Sequence, residues 1–374
     1  YADAKAKKQA EKEALKAAKK AEKAARKAIK LSPAERRSLI FMLLCLFFLF
    51  CGANAITTFF SLFAQEILHK ITSEATILML IFAVVAAVAA LPAGKMGKKF
   101  GRKKTITAGL AVFLAAFIVF FGIFVAMLGG KNLTITSYVN VNNAYSTINN
   151  QINEYNSALS EKADDEGVEL KAEDMVEMKE YIDYRLALEN NADVSEYENC
   201  VAFDEFLTAY SEQTKQTAIA NGADEASLTD VYSGIVAVAQ DILGVETNSF
   251  GTALNALSEA VTDVTAVLNI LIYPVLILGG AANMFITVNT LPLVLEIGGV
   301  EKVGTFTGYY YTATFSAQIA SPIIYGFIRM FAGTYMSLFY YSPVVFLIAV
   351  VMLVFVKHGE AIPDNVLKEA AQDD

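Results

Sequence analysis

Six long apolar runs constrain this chain more than any other feature; they cover roughly 38–65, 75–97, 104–128, 265–295, 303–329 and 335–357. At 1.5 Å of rise per residue, each can cross about 30 Å of hydrocarbon, several with length to spare for tilt. Only 18% of the 374 residues are charged, where a soluble protein carries about 25%. That charge is concentrated in a basic stretch and one acidic block between the runs, which excludes a soluble enzyme, a collagen-like fibre and a disordered protein. The expected fold class is all-α: a polytopic membrane protein with a six-transmembrane-helix bundle and an inserted, helical, extracytoplasmic domain.

The flanks set the expected orientation. Residues 1–37 hold 13 Lys/Arg against five Asp/Glu. This basic segment reads as a cytoplasmic linker obeying the positive-inside rule, rather than an arm for nucleic acid. Within it, Ser32-Pro33-Ala34-Glu35 has capping-box spacing with Pro at the first helical position, so a helix starts there. Residues 38–128 contain the first three spans. Between the second and third, Lys95–Lys104 holds six cations and no acid. Two spans separate the two basic segments, so parity places both in the cytoplasm. The block 129–262 then lies outside; its 24 Asp/Glu against six Lys/Arg weigh little in setting topology. Residues 263–357 carry spans four to six, and 358–374 form a cytoplasmic tail. The expected location is the plasma (inner) membrane, multi-pass, with both termini inside. The chain begins without Met, and the expectation is a fragment lacking its N-terminal part.

Cys45 and Cys51 point about 240° apart on one helix, Cys200 stands alone, and His69 and His358 are the only histidines. No cofactor, metal site or nucleophile–base pair is therefore expected, and no enzymatic activity. The polar residues inside the spans carry the functional information, because they are costly in lipid and turn toward protein or a water-filled path. In the fifth span Thr307, Tyr311, Thr314, Gln318, Ser321 and Tyr325 recur at intervals of 4, 3, 4, 3 and 4, all within about 40° of one line. The first span repeats this with Asn54, Thr58, Ser61 and Gln65. The fourth carries Gly279, Gly280, Asn283, Thr287 and Thr290, with Asn289 about 120° away from Asn283. Helix–helix contact through small and hydroxyl residues explains the glycines and threonines. It explains Asn54, Tyr311 and Gln318 less well, since bulky amides and phenols hold backbones apart. No span carries an acid, a cation or a histidine at its middle, so a neutral polyhydroxyl solute fits the lining better than an ion.

The run Gly94-x-x-x-Lys98-Lys99-Phe100-Gly101-Arg102-Lys103-Lys104 resembles the signature loop of the major facilitator superfamily. Lys98 stands where that loop has an Asp, which fits the degraded second copy in the family's C-terminal half. Three further stretches narrow the resemblance: Phe50–Ala55, Asn289–Val294, and Gly304–Tyr311 with Ala317–Pro322. Together they resemble bacterial sucrose/maltose-type and glycoside-pentoside-hexuronide cation symporters. The resemblance covers 1–128 and 263–360 and leaves the acidic block out. It implies half of a twelve-helix fold, alternating access around a midplane site, and partners comprising a sugar-like solute, a coupling cation and a missing N-terminal six-helix half. By position it carries sugar contact to Asn54, Asn283, Asn289, Tyr311 and Gln318, beside Thr58 and Thr287 on the same polar faces. It carries gating to Gly94, Gly101, Arg102 and Lys103.

The expected function is secondary active transport of a neutral polar solute, a sugar or glycoside, by proton- or cation-coupled alternating access. Two alternatives are an exporter of hydrophobic compounds and a membrane-anchored receptor or adhesion scaffold working through the acidic block.

Overall fold

The structure is a computed structural model that describes residues 31–225, 228–298 and 303–357. Most of the basic segment 1–37 and the tail 358–374 lie outside the described residues. Every long regular element described is an α-helix.

Helix α1 (Pro33–Ile67) starts where the capping box places it. Ser32 Oγ accepts from the Glu35 amide at 3.2 Å, and the Glu35 carboxylate accepts from the Ser32 amide at 2.9 Å. Helices α2 (Thr72–Phe100) and α3 (Arg102–Gly130) are separated by one residue, Gly101. Its φ of 98° is left-handed backbone that glycine adopts without strain, and this lets the chain reverse in so short a space. The acidic block supplies α4 (Ile135–Glu166), α5 (Met178–Glu189), α6 (Glu198–Ala220) and α7 (Val231–Leu243). Helix α8 (Phe250–Gly298) runs 49 residues without a break, from that block through the fourth apolar run. Two more helices, α9 (Val303–Ala332) and α10 (Leu338–Val354), complete the described chain.

Five of these helices are long and apolar enough to cross a membrane: α1, α2, α3, α8, and α10 with the 3-10 turn before it. Helix α9 is not among them. At 30 residues it is long enough, but Tyr309–Tyr311, four threonines, Gln318 and Arg329 lower its hydropathy. The chain is a multi-pass membrane protein whose fifth apolar run is amphipathic.

Helix α8 packs mainly on α2 and α3, α1 mainly on α9 and α10, and the α3–α10 contact joins the two groups. Small residues bring backbones together at these crossings. A Cβ at Gly280 would lie 2.6 Å from the Phe82 carbonyl oxygen, so α8 can approach α2 this closely only with glycine there. Between the two groups Phe113, Phe117, Phe120 and Phe339 stack, with Phe120 and Phe339 4.2 Å apart at their ring centres.

The acidic block has its own aromatic centre, with Tyr181, Cys200, Phe203 and Leu207 fully or almost fully buried. Arg185 Nη1 reaches both Asp204 oxygens at 2.8 Å, and Tyr181 donates to the same carboxylate at 2.5 Å. Glu189 accepts from the Gly251 amide at 2.6 Å and from the Ser249 hydroxyl. A carboxylate on a helix N-terminus offsets the macrodipole, so α5 pins the start of the longest helix in the chain.

Candidate solute-facing site

The stripe on α9 divides in the structure. Thr314, Ser321 and Tyr325 are buried and face neighbouring protein. Ser321 donates to the Cys51 carbonyl on α1 at 2.7 Å, Tyr325 lies 2.8 Å from Ser337 Oγ, and Thr314 returns its proton to the Tyr311 carbonyl at 3.2 Å. Tyr311 and Gln318 are exposed, and Thr307 is half-buried. The reason is angular: the packed arc of α9 centres on Phe306, Tyr310, Thr314, Ala317 and Ser321, turned roughly 50° from the polar line. The stripe therefore straddles the edge of the helix contact.

On α1, Thr58 is exposed, while Ser61 and Gln65 are half-buried and bonded to each other at 3.2 Å. Asn54 is half-buried, yet its amide nitrogen is shielded and meets no acceptor. On α8, Asn283 and Thr287 are half-buried. Asn289 is separated from them. It is fully buried, with Nδ2 donating to the Ala93 carbonyl on α2 at 3.1 Å and to Phe285 at 2.9 Å. A Cβ on Gly97 would fall 1.7 Å from Asn289 Oδ1, so this amide is the key of a tight α2–α8 crossing. It lies away from the open face that Tyr311 and Gln318 present, because α8 continues unbroken through Pro292 and keeps Asn289 about 120° from Asn283.

Sequence reasoning missed Tyr310. It is buried, lies 3.4 Å from the Thr290 hydroxyl, and meets Phe50 edge-on at 6.4 Å, so α1, α8 and α9 converge on it. The signal was present in the Tyr309–Tyr311 run, but Tyr310 falls outside the polar line that singled out Tyr311.

The residues expected to gate form a polar belt at the basic end. Arg102 Nε donates to Glu296 Oε1 at 2.5 Å, linking the start of α3 to the end of α8. Lys103 Nζ donates to the Val356 carbonyl at 2.6 Å and the Val354 carbonyl at 3.4 Å, at the C-terminus of α10. Cations in the first turn of α3 oppose its macrodipole; these two partners compensate them. Gly101 supplies the reversal between α2 and α3, and Gly94 packs against Val288 across the α2–α8 contact, 3.5 Å from where its Cβ would sit. At the other end Glu66 accepts from Thr334 Oγ1 at 2.5 Å and from the Tyr335 amide at 2.9 Å, with Arg329 Nη2 at 3.4 Å.

That same end is tied to the acidic block. His69 Nε2 lies 3.1 Å from Asn142 Oδ1, Asn142 Nδ2 donates to the Glu66 carbonyl at 3.0 Å, and the His69 and Tyr145 rings meet at 5.1 Å. Burial lowers the His69 pKa to about 4, the Asn142 contact pulling the other way. Among the described residues no group of three His, Cys, Asp or Glu is placed to hold a metal ion.

No curated protein and no solved structure matches the chain. The model of the Major Facilitator Superfamily, whose members are transporters rather than enzymes, matches residues 4–153. That stretch contains the three helices α1–α3, the Gly101 reversal and part of α4, and over it the chain is similar to the Major Facilitator Superfamily.

Proposed function

We propose that the chain carries a neutral polar solute, a sugar or glycoside, by alternating access coupled to a proton or another cation. The observation that carries this reading is the Asn54 amide nitrogen, shielded within a membrane span and without an acceptor. Buried donors in native proteins are overwhelmingly paired, so an unpaired one on a polar face is best explained by a ligand that pairs with it. Thr58, Tyr311 and Gln318 lie open on the same kind of face, and none of them is an acid, a cation or a histidine. Hydroxyls of a sugar can both accept from the Asn54 amide and donate to the Gln318 carbonyl.

In this reading the open faces of α1 and α9 close against a second six-helix half, since polar side chains left toward lipid are costly. The basic ends face the cytoplasm of a plasma (inner) membrane, and the acidic block faces outward. The Arg102–Glu296 and Glu66–Arg329 pairs then sit at opposite mouths of the path, as gates that open alternately.

The test is uptake of labelled sucrose, maltose and simple hexoses by vesicles bearing the carrier, with external pH recorded. Alkalinisation with one sugar, and its loss in Gln318→Ala and Tyr311→Ala proteins that still insert, is the expected result. Normal uptake by both variants would count against the assignment.

A further inference from the structure

On the exposed side of the α3–α8 contact lies an open groove of about 400 Å³, along residues 112–119 of α3 and 271–278 of α8. Both helices are long and apolar enough to cross a membrane, so the groove sits at membrane depth. Short side chains at Ala115, Ala116 and Pro274 leave the space, and longer ones at Val119, Leu271 and Leu278 border it. Every side chain lining it is apolar. The solvent at that depth is hydrocarbon, so the groove suits a flexible apolar chain; a peptide or a sugar would leave polar groups unpaired there.

Two lines of exposed residues lead from this membrane-facing surface to the basic hairpin between α2 and α3. On α3 they are Lys104, Ala108, Ala115 and Val119, all within about 30° of one line. On α2 they are Val84, Val88, Leu91, Lys95 and Lys98, all within about 40° of another. Of the six cations in the hairpin, Arg102 is paired with Glu296, and Lys103 donates to the end of α10. Lys95, Lys98, Lys99 and Lys104 are exposed and meet no carboxylate among the described residues. Topology alone asks for cations at one end of a membrane protein, but not for an apolar groove on the same line. Lys104 stands about 12 Å along α3 from the near end of the groove and about 22 Å from its far end. That span brackets the roughly 15 Å depth of one leaflet, where acyl tails end.

We infer that the α3–α8 groove and the hairpin lysines form a binding site for one anionic phospholipid, with its phosphate at the lysines, Lys104 foremost, and one acyl tail in the groove. A net negative headgroup is required because four lysines stand there without an acid, and a choline group would add a further cation. Such a site is independent of the transport reading. The lipid would bridge the same two helices that Arg102 and Glu296 join, and so would brace that crossing from the membrane side.

The experiment uses the full chain in a mild non-ionic detergent, with bound lipids counted by native mass spectrometry. One dioleoyl phosphatidylglycerol per chain is expected at micromolar concentration, with dioleoyl phosphatidylcholine weaker by about tenfold. Lys104→Gln and Ala115→Phe alter exposed positions, so folding is retained, and each should weaken the anionic lipid by about fivefold. Ala87→Phe, at an exposed position of α2 outside the groove, should leave it unchanged. Dihexanoyl phosphatidylglycerol carries the same headgroup on tails too short to reach the groove. It should bind weakly, and equally to the native chain and Ala115→Phe. Equal binding of the two dioleoyl lipids, uptake of many lipids without saturation, or tight binding of the dihexanoyl lipid would overturn the proposal. So would an unchanged affinity in Lys104→Gln or Ala115→Phe, or a matching loss in Ala87→Phe.

Discussion

In the membrane bundle Ser321 donates to the Cys51 carbonyl and Asn289 to that of Ala93, whereas in the acidic block Arg185 holds the Asp204 carboxylate. The two regions bury polar side chains by different chemistry. A charge moved into hydrocarbon is expensive, so the bundle uses neutral donors and the spare lone pairs of backbone carbonyls on neighbouring helices. The acidic block keeps water close: Arg185 and Asp204 retain 15% and 20% side-chain exposure, enough to moderate the desolvation of an ion pair. Where the bundle does hold ion pairs, Arg102–Glu296 and Arg329–Glu66, they sit at its ends. Against that background a few neutral groups stay unpaired, among them the Asn54 amide nitrogen, the Asn269 and Asn289 amide oxygens and the Ser342 hydroxyl.

The largest break should come from Gly97→Ala. The added Cβ would collide with Asn289 Oδ1, whose amide is locked between Ala93 and Phe285. We expect a loss of about 3 kcal/mol, seen as a lower melting temperature and poor folded yield in detergent. Gly122→Ala, where nothing lies within 4 Å of the new carbon, should be neutral or slightly stabilising. Equal behaviour of the two variants would refute the tight α2–α8 crossing.

Removing Arg185 probes the other chemistry. Arg185→Met leaves the half-buried Asp204 carboxylate with Tyr181 as its closest donor, and should cost about 2–3 kcal/mol, less than a fully buried pair would. Hydrogen exchange should accelerate across α5–α7 while α2 and α3 keep their protection. Parallel loss in both regions would show that they fold as one unit.

Acid should act at the junction between the regions. The folded-state pKa of His69 is lowered to about 4 from an ordinary value of 6.5, so the neutral ring is the stabilised form. Its contribution is complete above pH 6.5 and fades as pH falls toward 4, by roughly 3 kcal/mol at most. A melting curve followed from pH 7.5 to 4.5 should show this loss, and His69→Gln should flatten it. An unchanged pH profile in that variant would assign the acid sensitivity elsewhere.

The smallest stability effects discriminate best. Ser321→Ala removes a bond to a carbonyl that α1 already uses, and should cost about 1 kcal/mol. Asn54→Leu removes an unpaired donor, so stability should hold or rise while uptake falls. Retained uptake would remove Asn54 from the path.

Much of the fold was legible along the chain. The capping box at Ser32 and four of the six apolar runs reappear as a helix start and helices α1, α2, α3 and α10, whereas the reversal at Gly101 was not read from the sequence. These are local signals, fixed by residue type and period. The fourth run was legible as a span but not as part of a 49-residue helix, because the polar residues 250–264 mask continuity that packing against α5 and α7 supplies. For the candidate site the polar stripes were readable, but their division was not. Angular position gives the face on which Gln318, Ser321 and Asn289 lie; it does not give what stands opposite.

By itself, then, the sequence determined that this chain is helical, crosses a membrane repeatedly and carries polar stripes without an acid, a cation or a histidine at their middles, because hydrocarbon length and helical period are read one residue at a time. Only the tertiary structure decided that Ser321 and Asn289 lock helices together while Asn54 stays unpaired and Tyr311 and Gln318 stay open. Which polar group finds a partner depends on the carbonyl or Cβ that a distant helix brings to it, and no local pattern encodes that distance.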